Sequence, residues 1–370
     1  MVLLPKQKVL EIGIKISERC NIDCTYCYYY KMENTTWKDR PATLKGEALN
    51  DLESLLELCN SAEDLDWVTV ILHGGEPLLY KEAPLSELCE LVSRTLTKKK
   101  YQISLTTNAV LINDLWISIF GRYNIAVAIS MDGPAAYHDM YRVDKKQNGT
   151  YEEVLAGTQK MILAARQGRC LPPSAIAVVN AEFDGAIVYN HLVSVGFKTV
   201  TFILPDGLSG SSTSERDRGL TNYLIGAFGA WSTFNRATRA KVSNFQRIMG
   251  RALREIEGSI ADPVEHFAIS MDSSGGIGLS DVLKSVAPNE WISTRVDGKK
   301  SIWEIHDYLV DHSRITATKD VERCAHCDIF SLCGGGVAEE RYNKENRYNN
   351  PSVHCGVYKR FIPHILNALQ

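Results

Sequence analysis

Between residue 9 and about residue 204, short apolar runs alternate with longer segments whose apolar residues recur at helical spacing. The runs at 9–16, 67–73, 101–107, 125–131, 174–180 and 198–204 are rich in Val, Ile and Leu and bounded by turn residues. That is the pattern of strands buried on both faces. Helices are predicted near 44–60, 84–98, 111–121, 150–168 and 184–195. In the first, Leu49, Leu52, Leu55, Leu56 and Leu58 follow the helical period, and Thr43 with Glu47 forms only a partial capping signal. Six strands alternating with helices imply right-handed crossovers and a parallel α/β sheet. A curled, incomplete barrel and a flat doubly wound sheet both satisfy the pattern. In either, ligand chemistry belongs at the C-terminal strand ends. Four punctuated motifs fall there: Cys20–Cys27, His73–Pro77, Thr107-Asn108 and Ser130–Pro134.

Beyond residue 205 the pattern changes. Residues 206–217 form a polar Gly/Ser-rich loop, the clearest internal boundary, and a long helical stretch is predicted over about 218–257. Two apolar segments, 267–271 and 277–279, flank Asp272–Gly276 as in a hairpin. The expected division is a barrel over 1–205, a bridging segment over 206–262 and a C-terminal domain over 263–370.

Composition narrows the functional classes. A net charge of −3 over 370 residues argues against a nucleic-acid-binding face, and Lys98-Lys99-Lys100 reads as a solvated helix end. No stretch has the ~18–20 apolar residues of a membrane span, nor the layout of a secretion signal, so a cytoplasmic protein is expected. Ten cysteines in a reducing compartment point to metal rather than disulfides. Seven of them fall in two tight groups, while Cys59, Cys89 and Cys170 read as core or incidental thiols.

The first group, Cys20-x3-Cys24-x2-Cys27, places three soft ligands in one loop without a nearby fourth. This suits an iron–sulfur cluster with one open iron better than a closed zinc site. Gly74-Gly75-Glu76 lets backbone approach a ligand, and Glu76 can accept hydrogen bonds from an ammonium group. Ser130 and Asp132 supply a hydroxyl and a carboxylate at the same rim, and Arg142 is a candidate carboxylate clamp. The second group, Cys324-x2-Cys327-x5-Cys333-x21-Cys355, is a closed four-thiolate set that suits structural zinc or a fully ligated 4Fe–4S cluster equally.

The first cysteine group, with Tyr26 before its third cysteine and Gly74-Gly75-Glu76 downstream, resembles the radical S-adenosylmethionine (SAM) superfamily. The tail resembles the SPASM-type auxiliary-cluster domain. The resemblance implies a partial (β/α)6 TIM-like barrel followed by a small SPASM/twitch-like domain. It further implies a SAM-binding 4Fe–4S cluster on Cys20, Cys24 and Cys27, with a second, auxiliary 4Fe–4S cluster on Cys324, Cys327, Cys333 and Cys355. Gly74, Gly75 and Glu76 would meet the SAM ammonium, Ser130 and Arg142 its ribose and carboxylate, and Tyr26 and Asn108 would line the adenine side. Ser280 and Val337 occupy positions where two-cluster members carry cysteine, so one auxiliary cluster is expected.

Tyr28-Tyr29-Tyr30, Trp37–Pro41, Leu279–Lys284 and Asn349–Cys355 narrow the likeness to the Xye/Fxs/Grr-type maturases. These join an aromatic ring carbon to the Cβ of a residue two positions later in a ribosomal precursor peptide, forming a three-residue cyclophane. That reading implies a precursor peptide as substrate, an external one-electron reductant of the flavodoxin or ferredoxin kind, and neither nucleic acid nor membrane as partner. Asp281, on the hairpin, is the candidate base. Rival chemistries are oxidation of Ser or Cys to formylglycine and thioether crosslinking. A non-catalytic zinc scaffold stands outside the enzyme class altogether.

Overall fold

The computed structural model describes residues 6–206, 214–235, 239–258 and 264–368. The six apolar runs become strands β1 (Gln7–Ser17), β2 (Trp67–Gly74), β3 (Lys100–Thr107), β4 (Ala126–Ser130), β5 (Ser174–Val178) and β6 (Thr199–Ile203). They pair parallel in sequence order, from Val9 opposite Trp67 through to Val178 opposite Ile203. The five predicted helices form at Glu47–Ser61, Glu82–Thr95, Asp114–Arg122, Tyr151–Arg166 and Gly185–Val195. The helix Glu47–Ser61 starts at Gly46, whose φ of 59° suits glycine, and no side chain caps it. The sheet curls into a partial barrel.

The strands are not buried on both faces, contrary to the expectation from their composition. In β1, Leu10, Ile12, Ile14 and Ile16 are fully buried and join one core with Leu52, Leu55 and Leu56 of the covering helix. The alternate positions of the sheet are half-buried, among them His73, Thr106, Ser130, Ile176 and Val178, and these line a cavity inside the barrel. The period of two therefore separates a helix-covered apolar face from a ligand-facing one.

Three further strands extend the sheet. β7 (Lys241–Val242) adds to β6, with Val242 opposite Val200. The stretch predicted as one helix over 218–257 is thus two, Ser214–Thr233 and Ser243–Ile256, because the buried Val242 is drawn into the sheet between them. Phe228, Phe245 and Phe361 pack edge to face or tilted at 5.3 and 5.6 Å, binding both helices to the last helix, Cys355–Asn367. Of the boundary loop, residues 207–213 lie outside the described residues.

At the other edge, β8 (Val264–Met271) and β9 (Ile277–Gly278) form the expected antiparallel hairpin. The same β8 also runs parallel to β1, with Gln7 opposite Val264 through to Ile14 opposite Met271. The final sheet order is β7-β6-β5-β4-β3-β2-β1-β8-β9. Among the described residues no helix is long and apolar enough to cross a membrane.

Candidate active site

The loop after β1 is pinned from outside. The amide of Asp23 donates to the Val143 carbonyl at 2.7 Å and that of Thr25 to Tyr141 at 2.9 Å. This holds Cys20, Cys24 and Cys27, all free thiols, on the wall of a cavity of about 590 Å³. Tyr26, Gly74, Gly75, Glu76, Asn108, Ser130 and Arg142 line the same cavity, so every SAM-contact residue expected from sequence converges on the cysteine loop. Burial pushes the Cys20 thiol up to about 12 and moves Cys24 in the same direction. Thiols in such a setting ionise when a metal takes the proton's place.

Gly74 and Gly75 seat β2 against this loop. The Gly75 amide donates to the Ser17 carbonyl and the Glu76 amide to that of Arg19, both at 2.8 Å. A Cβ on Gly75 would overlap the Arg19 carbonyl and the Tyr30 hydroxyl. Gly75→Ala is therefore expected to shift the cysteine loop and cost about 1–3 kcal/mol of stability. Denaturant unfolding read alongside iron content checks this, and an unchanged midpoint with full iron loading would contradict it.

Glu76 is more engaged than its expected role requires. Its Oε1 accepts from the Thr107 hydroxyl at 2.7 Å and the Leu78 amide at 3.0 Å, and its Oε2 from the Asn108 amide at 2.8 Å. Burial pushes its carboxyl up to about 6 against these hydrogen bonds. It braces the end of β2 to that of β3. Asn108 in turn donates its side-chain amide to Asn21 at 2.8 Å, inside the cysteine loop.

Arg142 is buried and donates through Nη1 to the Tyr26 hydroxyl at 2.7 Å. Tyr26 donates onward to Asp132 at 2.5 Å, and the other oxygen of Asp132 accepts from the Val178 amide. The Arg142 Nε is buried without a partner among the described residues. Arg142 itself lines the cavity, so its guanidinium can set positive charge against a ligand carboxylate there. The pocket therefore fits an amino-acid-bearing ligand beside the cysteine loop.

Asp281 is placed differently from expectation. It opens a short helix, Asp281–Val286, whose N-cap Ser280 accepts from the Val282 amide. Its carboxylate pairs with Lys15 at 2.8 Å and accepts from the Tyr28 hydroxyl at 2.6 Å. Burial works to raise its pKa, but Lys15, His73 and these hydrogen bonds outweigh burial and hold the carboxyl well below the usual range. Asp281 is absent from the cavity lining, whereas Tyr28 is part of it. Lys15, which sequence reasoning passed over, is only 3% exposed and also reaches the Gly74 carbonyl and His73 Nδ1, each at 3.3 Å. A lysine between Ile14 and Ile16 in an otherwise apolar strand was the available signal, since a buried cation needs a partner.

The tail cysteines Cys324, Cys327, Cys333 and Cys355 line a second, smaller cavity with Phe330 and Tyr358. Three consecutive glycines, Gly334, Gly335 and Gly336, have φ of 74°, 82° and 78°, a turn closed to other residues without strain. Ser280, one of the two positions expected to lack a cluster ligand, donates to Glu339 at 3.0 Å, and the other, Val337, is exposed.

The Radical SAM superfamily model matches residues 14–164, the span holding the cysteine loop, the Gly-Gly-Glu motif, Ser130 and Arg142. A cysteine-type anaerobic sulfatase-maturating enzyme of Clostridium novyi is 33% identical over 98% of this chain and 96% of its own. Among solved structures, anSMEcpe with bound AdoMet and the Cp18Cys peptide superposes with a TM-score of 0.74 at 21% identity, covering 97% of this chain and 98% of that one. Streptococcus suis SuiB bound to the precursor peptide SuiA has a TM-score of 0.61 at 15% identity, covering 95% and 76%. With the family's motifs gathered around one cavity and a full-length relative at this identity, the chain belongs to the radical SAM superfamily and is an enzyme of that class.

Proposed function

We propose that this enzyme is a peptide maturase that joins an aromatic ring carbon of a precursor peptide to the Cβ of a residue two positions later. Cys20, Cys24 and Cys27 would hold a 4Fe–4S cluster, while Gly74–Glu76, Ser130, Asn108 and Arg142 would hold SAM. Bound and reduced by an external one-electron donor, the pair supplies a 5′-deoxyadenosyl radical that takes a hydrogen atom from the substrate. The four tail cysteines would hold the auxiliary 4Fe–4S cluster.

The observation that carries the crosslinking reading is the tail itself. Its four cysteines line one cavity, and Ser280 and Val337, outside that lining, take a hydrogen-bonding and an exposed role where further thiolates would be needed for a second auxiliary cluster. A peptide substrate is supported by SuiB and anSMEcpe, each solved with a peptide bound. The likeness to the Clostridium novyi enzyme favours a second reading, oxidation of a peptide Cys or Ser to formylglycine.

Anaerobic reconstitution should load about eight irons per chain if both sites hold 4Fe–4S clusters. Tandem mass spectrometry of a co-expressed precursor then separates the chemistries. Crosslinking removes two hydrogens and leaves an aromatic–Cβ bond that resists fragmentation between the joined residues. A hydrazine-reactive aldehyde would establish the second reading instead, and zinc in both sites would exclude either.

A further inference from the structure

Both chemistries end alike. Once a hydrogen atom has left the substrate, the remaining radical must lose one proton and one electron to become a closed-shell product. A proton acceptor must therefore touch the cavity.

Asp281 pairs with Lys15 and lies outside the cavity lining. Glu76 lines the cavity, but three protein donors already occupy its carboxylate. His73 also lines it, and its Nδ1 faces the Lys15 ammonium at 3.3 Å. An ammonium only donates, so that nitrogen is the acceptor and the ring proton sits on Nε2. Burial, then Lys15, depress His73 to about 4, so it stays neutral and has no lone pair left to offer. Among the described residues, the only other carboxylate on the wall is Asp206.

Asp206 follows the end of β6, in the segment Ile203-Leu204-Pro205-Asp206 that closes one side of the cavity. It accepts no hydrogen bond and makes no ion pair among the described residues, while its neighbour is fixed by His354 Nε2 donating to the Pro205 carbonyl at 3.2 Å. We propose that Asp206 is a catalytic residue, the acceptor of the proton released as the substrate radical is oxidised.

In the crosslinking case the Cβ radical bonds to a ring carbon. That carbon's C–H bond then breaks and its proton passes to Asp206, which restores aromaticity; an oxidised iron–sulfur cluster, which Cys324, Cys327, Cys333 and Cys355 would hold, would take the remaining electron. In the formylglycine case the proton comes from the Ser or Cys side chain as the C=O or C=S bond forms, the electron would go to the same oxidant, and a C=S product is then hydrolysed to the aldehyde with release of sulfide. The substrate loses two hydrogens in either balance, one as an atom and one as proton plus electron.

The surroundings tune Asp206 for this task. Burial first, then the carboxylates of Glu339, Glu340 and Asp281, push it up to about 7. Glu339 is held by Ser280 and Glu340 by Ser352 at 2.7 Å, so both charges are fixed in place. Tyr28, also facing Asp206, keeps its proton because burial and neighbouring Asp281 raise its pKa further. A general base is most effective with a pKa near the working pH.

The inference rests on the peptide-modifying reading. The test incubates the two-cluster enzyme with SAM and synthetic peptides carrying a central Cys, Ser or aromatic-x-x triplet, and measures modified peptide per 5′-deoxyadenosine between about pH 5.5 and 8.5. Asp206→Asn should still cleave SAM, while this ratio falls at least ~10²-fold and loses its rise near pH 7. Asp206→Glu should restore part of the ratio. Glu339→Gln should move the rise to lower pH, a shift that a purely structural role would not produce. Difference infrared spectra without SAM should show a protonated carboxyl band that fades as pH rises through about 7 in wild type and is missing in Asp206→Asn. A wild-type ratio and pH profile in Asp206→Asn would overturn this inference alone. SAM cleavage without modification of any peptide by the wild type would overturn the parent reading and this inference with it.

Discussion

Cys24→Ala is expected to reduce SAM cleavage to background while the tail site still loads about four irons. Three thiolates are the full local supply at the first site, because the four tail cysteines line a cavity of their own. The loop itself should survive the substitution, since the backbone bonds from Asp23 to Val143 and from Thr25 to Tyr141 do not involve the thiol. The loss is thus one of ligation and not of folding. It should exceed the ~10–100-fold penalty typical of losing an outer-shell partner of a metal ligand. Chromatography of 5′-deoxyadenosine with an iron assay on the same sample decides it. Retained cleavage would overturn the assignment of the loop as the SAM-cluster site.

Lys15→Met should carry a large stability cost. The ammonium is the common partner of the Asp281 carboxylate, the Gly74 carbonyl and His73 Nδ1, and lies 3.9 Å from the Tyr29 ring centroid. Methionine fills the volume but strands the Asp281 charge. Breaking a buried pair from one side costs about 3–5 kcal/mol, and the lower end applies here. Asp281 keeps a quarter of its side-chain surface in solvent, which softens the penalty.

The expected reading is a lower denaturant midpoint at unchanged slope. Lys15→Met with Asp281→Asn should recover much of it, because no unpaired charge remains. The pH dependence has a definite sign. Lys15 holds the folded carboxyl below its unfolded value, so the pair's stabilisation is complete above about pH 4 and lost as pH falls below it. Lys15→Met should flatten that acid limb. A midpoint within error of wild type at pH 7 would sink the argument.

Local pattern was a good guide to the first two hundred residues. Leu10, Ile12, Ile14 and Ile16 announce β1, and the leucine spacing of 49–58 announces the helix above it. The cysteine loop, Gly74–Glu76, Ser130 and Arg142 were legible because turn chemistry and ligand chemistry coincide at strand ends. What local pattern could not carry was register between distant segments. The pairing of β8 with β1 depends on hydrogen bonds across some 250 residues, and the two residues of β7 are too few to show a period. Lys15 and Asp281 are likewise separate in sequence. Each reads as an oddity alone, and only the fold reveals that they satisfy one another.

The placement of β8 also bears on where this polypeptide can be divided. With β8 in place, β1 is an inner strand whose amides and carbonyls are hydrogen-bonded on both sides. A chain ending before residue 264 would expose one side of an eleven-residue strand carrying four fully buried aliphatic side chains. Such an edge is a template for intermolecular β-pairing and fibril-like aggregation. The C-terminal region is therefore also a built-in solubility device for the barrel, a role independent of any metal it carries.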